Sequence, residues 1–215
     1  MKVKWLGHAS FLITSAAGVK IITDPYPQGS GLSYVPINGA ADVVTVSHDH
    51  FDHNNVSSIP GHPQIITGRD AKNIKGIEFK GVSTYHDSLQ GKERGANTIF
   101  CFLVDGIKVC HLGDLGHRLS TEQIAELGDI DILLIPIGGV FTIDAKSATI
   151  VVDDLKPKVV MPMHYKTTKC DWTLSPVDDF IVDKRNVRKL NSSEIEFKAE
   201  TLPDSTEIIV LEPAS

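Results

Sequence analysis

Cysteine is scarce in this chain. Its 215 residues include three, Cys101, Cys110 and Cys170, an odd number with no C-x-x-C spacing. That excludes a disulfide scaffold and a four-thiolate metal knuckle, and it fits a reducing, cytoplasmic setting. An excess of basic residues is missing too. The 21 Lys and Arg against 27 Asp and Glu leave a net charge of −6, whereas a general affinity for nucleic acid needs a basic surface. No apolar run approaches the roughly 20 residues of a membrane span. The opening MKVKWLGHASFLITS has one short apolar stretch, broken by His8 and Ser10, and no small-residue cleavage site, so no secretory leader is expected. Low-complexity tracts are absent. What remains is an ordinary globular composition, 41% hydrophobic, on a chain long enough for one good-sized core.

Against that background one stretch is dense in polar groups. Residues 46–55, VSHDHFDHNN, bring together His48, Asp49, His50, Asp52 and His53. Crowding them costs desolvation and like-charge repulsion unless a cation offsets both. The preceding residues, 42–47, are short and β-branched and read as a buried strand. The cluster therefore begins where a strand ends, a usual place for a site in an open α/β sheet. Histidines at i, i+2 and i+5 with aspartate at i+4 exclude the helical i, i+4 zinc pair. They suit a tight loop whose members face different metal ions. Imidazole is the commonest metal ligand.

Further strands are expected at 3–6, 10–14, 19–23, 64–67, 77–83, 130–137, 158–163 and 207–212. Two more flank the Asp105-Gly106 hairpin turn. Ser120 and Gln123 form a capping box for a helix to Leu127. Residues 144–155 read as a helix. Another starts at Ser175, with Pro176 at its first helical position, and runs through Lys184. The Gly/Pro/Ser stretch 26–38 reads as a substrate-facing loop, and the Gly-rich 88–97 as a mobile one. Strands come first and then alternate with helices, with no linker between. That order predicts one α/β domain over 1–215, two packed sheets covered by helices. His86, Asp114 and His164 each follow an apolar strand, so four strand ends converge on one site.

A zinc ion takes about four ligands. His48, His50 and His86 supply three nitrogens and leave one position open. Asp52, His53 and His164 make a second, mixed set, and Asp114 bridges the two. His111 competes with His86 for the first set. His8, in a Gly-His-Ala-Ser turn, serves either as proton donor or substrate contact, or as a structural hydrogen bond at the turn. Lys166 reads as a contact for a substrate anion or as a surface lysine. Asp49 reads as a support for an imidazole or for the loop. His62 and His117 read as surface residues, and Trp5 and Trp172 as packing groups.

H-x-H-x-D-H at 48–53, a later histidine, a Gly-Asp pair after a strand and a final histidine after a strand resemble the metallo-β-lactamase superfamily. WLGHAS, HLGDLG at 111–116, PIGGVFTIDAKSA and PMHYKT are similar to its compact subfamily of ascorbate-6-phosphate lactonase-like proteins and predicted zinc-dependent hydrolases. The resemblance implies a four-layer αββα sandwich and a mononuclear or dinuclear metal centre. It favours His86 over His111, because in the superfamily this histidine precedes the hairpin that carries the bridging aspartate.

The expected cofactor is a pair of divalent ions, Zn2+ first, with Mn2+, Fe2+ and Ni2+ as alternatives. The expected reaction is hydrolysis by a metal-bridging hydroxide, with Asp52, Asp114 and His8 as catalytic groups and Lys166 and His111 turned to substrate. Two divalent ions, two ligand aspartates and one hydroxide leave a local charge of about +1, which favours an anionic small molecule. The rival readings are a phosphodiesterase or nuclease acting on a nucleotide or RNA, and a metal-binding regulatory protein without turnover. No membrane partner is expected, nucleic acid is disfavoured by charge, and a homo-oligomer is compatible with the sequence.

Overall fold

The computed structural model describes residues 1–214. Strands β1 (Lys2–Gly7), β2 (Ser10–Thr14), β3 (Lys20–Thr23), β4 (Val43–Thr45) and β5 (Gln64–Ile66) come first. They are followed by β6 (Lys72–Ile74), β7 (Ile77–Tyr85), β8 (Ala96–Val104) and β9 (Ile107–His111). Helix α1 (Thr121–Leu127), β10 (Ile132–Pro136), α2 (Ala145–Leu155), β11 (Val159–Met163) and α3 (Val177–Ile181) alternate next. Strands β12 (Val187–Lys189), β13 (Glu194–Glu196) and β14 (Glu207–Val210) complete the order. One sheet has six strands in the order β13-β1-β2-β3-β4-β5, and the other eight, β12-β14-β11-β10-β9-β8-β7-β6. Both mix parallel and antiparallel pairs.

Strand alternation explains the layering. Successive residues of β3 and β4 serve different cores. Ile21 and Val43 join Trp5, Phe79, Phe100 and Leu133 in the large core, which draws on both sheets. Ile22 and Val44 turn instead to a smaller core with Tyr26, Tyr34, Ile37 and Leu174. Strand β10 is buried along its whole length, and Val151 and Leu155 of α2 and Phe180 of α3 belong to the large core. Each such buried aliphatic or aromatic side chain contributes about 1.5–3 kcal/mol. The result is the expected α/β sandwich of two packed sheets.

Its outer layers are unequal. Helix α1 packs with β7 of the eight-stranded sheet and α2 with α3, while residues of the 26–41 segment cover Ile22 and Val44 of the six-stranded one. The 26–38 segment is therefore mainly a cover: the Tyr26 hydroxyl lies within hydrogen-bond reach of Leu6 O and Val35 O, at 2.9 and 2.8 Å.

The capping box at Ser120 and Gln123 is present, and the Asp144 carboxylate accepts from Ser147 N at 2.8 Å to start α2. Helix α3 is shorter than its pattern predicts. Pro176 is its cap residue with extended backbone (φ −73°, ψ 163°), not part of the first turn, and Asp183 takes a φ of +64° just past its end. Strands β6, β12 and β13 are unexpected. Their sequences, KNI, VRK and EIE, carry charge and lie at sheet edges, where charge blocks pairing with other chains and hides the apolar pattern.

The 88–97 loop is tied down, contrary to its glycine content. Asp87 accepts backbone N–H groups from Leu89, Gly91, Glu93 and Arg94 at 2.8–3.0 Å. All three cysteines are buried free thiols. Among the described residues no helix is long and apolar enough to cross a membrane.

Candidate metal centre

The 46–53 loop is anchored before it offers any ligand. Asp24, fully buried at the end of β3, accepts from Ser47 N at 2.8 Å and from the Ser47 hydroxyl. Its Oδ2 also meets His53 Nδ1 at 2.9 Å. That contact fixes the ring and points His53 Nε2 inward. The end of β7 delivers His86, the end of β11 delivers His164, and the β1–β2 turn delivers His8.

Asp114 follows β9 through Gly113, whose φ of +55° and close approach to Asn97 Oδ1 and Ser47 admit no Cβ. Asn97 Oδ1 then accepts from Asp114 N at 3.0 Å, while its amide donates to Thr84 Oγ1 at 2.7 Å and Leu112 O at 3.0 Å.

The side chains gather into two main groups, with a third, overlapping one of Asp24, His48 and His53. His48, His50 and His86 each bring a ligand atom within 4.8 Å of the others, and so do His8, Asp52, His53 and His164. Asp114 lies between them. Its Oδ2 is 3.1 Å from His86 Nε2 and 3.2 Å from both His53 Nε2 and His164 Nε2. Asp52 Oδ2 sits 3.0 Å from His8 Nε2 and 3.2 Å from His53 Nε2. The four strand ends thus converge as the sequence pattern predicts.

Electrostatics prepares these groups for a cation. Burial, then the neighbouring His164, pushes His8 down to about 4. Burial and His53 push His48 down to about 3, against the pull of Asp114 and Asp24. Both imidazoles are neutral at pH 7 and present lone pairs. Burial alone would raise Asp114, but His164 and His53 hold it well below the usual carboxylate range. Asp52 is lowered in the same way, chiefly by His53. Burial would lower His53, yet Asp114 and Asp52 raise it well above its ordinary value. The two carboxylates already attract positive charge at this point.

The buried polar atoms supply the test of fit. Nε2 of His48, His53 and His164, Nδ1 of His86 and His164, and Oδ1 of Asp114 are buried without a hydrogen-bond partner. Each such atom costs roughly 1–3 kcal/mol if left unsatisfied. A nitrogen- and oxygen-seeking divalent cation can satisfy one nitrogen of each imidazole and the free Asp114 oxygen, so the donor set fits a metal centre.

Two expected substrate contacts are engaged elsewhere. His111 is fully buried. Its Nε2 faces Ala9 O at 2.8 Å and its Nδ1 accepts from Gly113 N at 3.2 Å, leaving no ring nitrogen for a ligand or substrate. Lys166 directs its ammonium to Cys170 O at 2.6 Å and Trp172 O at 3.1 Å, so it brackets a loop. Asp49 holds the loop through Asn54, and the carboxylate behind an imidazole is Asp24 instead.

Asp24 and Asn97 are not among the candidate site residues that the sequence pattern names. Asp24 had a usable signature, an acidic residue closing an apolar strand just before Pro25, like Asp114 and the histidines. Asn97 had only its polarity at the head of an apolar strand. His62 is exposed. His117 accepts from Tyr85 N at 3.1 Å, a structural role at the surface. Trp5 is a core residue, whereas Trp172 stands beside His8 and His164.

The chain matches the β-lactamase superfamily domain over residues 2–164. It is 35% identical to a UPF0173 metal-dependent hydrolase of Pyrobaculum islandicum, over 78% of this chain and 85% of that one. It is 30% identical to a UPF0173 metal-dependent hydrolase of Thermococcus onnurineus, over 99% and 97% of the two chains. A Thermotoga maritima crystal structure, assigned to the zinc-dependent hydrolases of the metallo-β-lactamase superfamily, shares 38% identity over 99% of both chains with a TM-score of 0.83.

Proposed function

This chain belongs to the UPF0173 metal-dependent hydrolases of the metallo-β-lactamase superfamily, and we propose that its His/Asp cluster holds a pair of divalent ions, zinc first, serving hydrolysis of a small anionic ester, lactone or phosphoester. One observation carries the reading: Asp114 Oδ2 lies within 3.2 Å of a nitrogen from the first group and of two from the second. His48, His50 and His86 would hold one ion, and Asp52, His53 and His164 the other, with Asp114 shared. Such a pair, when bound, supplies activated water near neutral pH and polarises the attacked oxygen.

The chain's own groups do the rest. Asp24 orients His53, and Asn97 with Gly113 sets Asp114. Asp52 Oδ2 orients the attacking water, and the neutral His8 Nε2, 3.0 Å away, receives the proton that water releases and returns it to the leaving group. With two divalent ions and a hydroxide held by two aspartates, a local charge of about +1 would draw an anion into the cleft despite the acidic exterior.

The test is a screen of metal-free protein reloaded with Zn2+ or Mn2+ against a lactone, an aryl ester, a phosphodiester and a dinucleotide. Metal-dependent turnover of the first two, abolished by chelator, supports the reading. Turnover of the phosphodiester together with the dinucleotide, and of neither carboxylic probe, favours the nuclease alternative, and no turnover by fully loaded protein favours a binding role.

A further inference from the structure

Beside the metal centre stands an apolar wall that the hydrolytic chemistry does not use. Phe51 lies between His50 and Asp52 in the chain and is 56% exposed. Its ring meets Trp172 edge to face at 6.2 Å, and Phe141 meets the same indole at 5.7 Å. Trp172 is in turn edge-on to the His8 ring at 5.2 Å and 6.3 Å from that of His164. Phe141 and Trp172 are half-buried against the smaller core, so with exposed Phe51 they form a fixed apolar edge to the polar cleft, the kind of feature that marks a binding surface.

The wall is held in place. The Trp172 indole N–H donates to Ser30 O at 2.8 Å. Gly31 lies under the ring, where a Cβ would strike it, and Lys166 fixes the Trp172 carbonyl. Phe141 is presented by a tight γ-turn, its N–H donating to Gly139 O at 2.6 Å. The central residue, Val140, has a φ of +60° and is 63% exposed. A β-branched residue in that region is strained, and strain persists where the surrounding structure enforces it, commonly at ligand clamps. Arg94 closes the end of the wall. Its guanidinium lies 5.0 Å over the Phe141 ring and donates to Val140 O at 3.3 Å. The same arginine lines a cleft of about 600 Å³ in front of His48 and His50.

We infer, resting on the hydrolase reading above, that Phe51, Phe141 and Trp172 receive a flat apolar group next to the scissile bond, so that the substrate is an aryl-type ester of an anion and not a purely polar sugar derivative. Flat groups gain from edge-to-face contact with such rings, whereas a hydroxylated ring would leave its polar groups unpaired there. Arg94 adds positive charge where the anionic portion enters.

The probes are phenylphosphonate and methylphosphonate, which share the anion and differ in the ring, titrated calorimetrically into zinc-loaded protein. Phenylphosphonate is expected to bind about tenfold more tightly or better, consistent with one well-packed aromatic contact. Phe51→Ala and Phe141→Ala should each shrink that ratio at least threefold, while metal analysis shows zinc content equal to the parent. Equal affinity for the two probes, or a ratio unmoved in both variants, overturns the inference and leaves the metal reading standing. Protein that retains no zinc and binds neither phosphonate overturns the hydrolase reading, and this inference with it.

Discussion

His53 Nδ1 lies 2.9 Å from Asp24 Oδ2, and neither side chain has exposed surface. This contact fixes which nitrogen of His53 faces the cluster, because the other one is committed. Asp24→Asn keeps the shape and removes the charge that orients the ring. Metal affinity should fall about 10–100-fold, the usual effect of losing a carboxylate behind a ligating imidazole. Competition with a fluorescent chelator measures it. Parent-like affinity would show that Asp24 serves only the Ser47 turn.

His86 and His111 should separate cleanly. His86→Ala removes a nitrogen from the group with His48 and His50, so it should lower metal content. His111→Ala should leave metal content intact and destabilise the protein by about 2–4 kcal/mol, through a core cavity and unpaired backbone groups. Metal analysis and thermal melts of the two variants check both halves. Metal loss in the His111 variant at unchanged stability would reverse the assignment.

Much of the centre was legible because each contributor closes an apolar strand. His48, His86, Asp114 and His164 all follow β-branched or aromatic runs, so the strand pattern and the ligand pattern reinforced one another. Asp24 follows the same rule but stood alone, with no histidine beside it to draw attention. His111 lies three residues before Asp114, a spacing that leaves its role open in the sequence, and the fold turns its ring to Ala9 O. The short edge strands were hidden by the charges that protect them. Trp172 could not be placed from sequence, since its position depends on Ser30 and Gly31, over 140 residues away in the chain.

Asp87 makes the protein's acid response predictable. Burial alone would raise its carboxyl, but the backbone donors of residues 89–94 lower it to about 2 from an ordinary 3.8. A depressed carboxylate contributes stability that is full above its unfolded value and is lost as pH falls through the folded one. Its contribution is thus present at neutral pH and fades between about pH 4 and pH 2. Asp87→Asn should lower Tm at pH 7 and flatten Tm against pH in that window. A profile parallel to the parent's would contradict the role given to Asp87.

Lys166→Met tests whether that ammonium serves the loop or the substrate. Two carbonyls, of Cys170 and Trp172, lose their donor. Stability should drop by about 1–3 kcal/mol, while methylphosphonate affinity changes less than twofold. A large loss of methylphosphonate affinity at unchanged Tm would restore Lys166 as an anion contact.

Metal stoichiometry bears most directly on the central claim. Protein stripped by chelator, reloaded with Zn2+ and freed of excess should carry about two ions per chain by elemental analysis, as expected of a dinuclear hydrolase centre. Asp114→Asn, which keeps the shape but removes the shared charge, should retain no more than about one ion and lose hydrolysis by on the order of 10²-fold or more. A parent that saturates at one ion or none, or an Asp114 variant that holds as much zinc as the parent, would contradict the account.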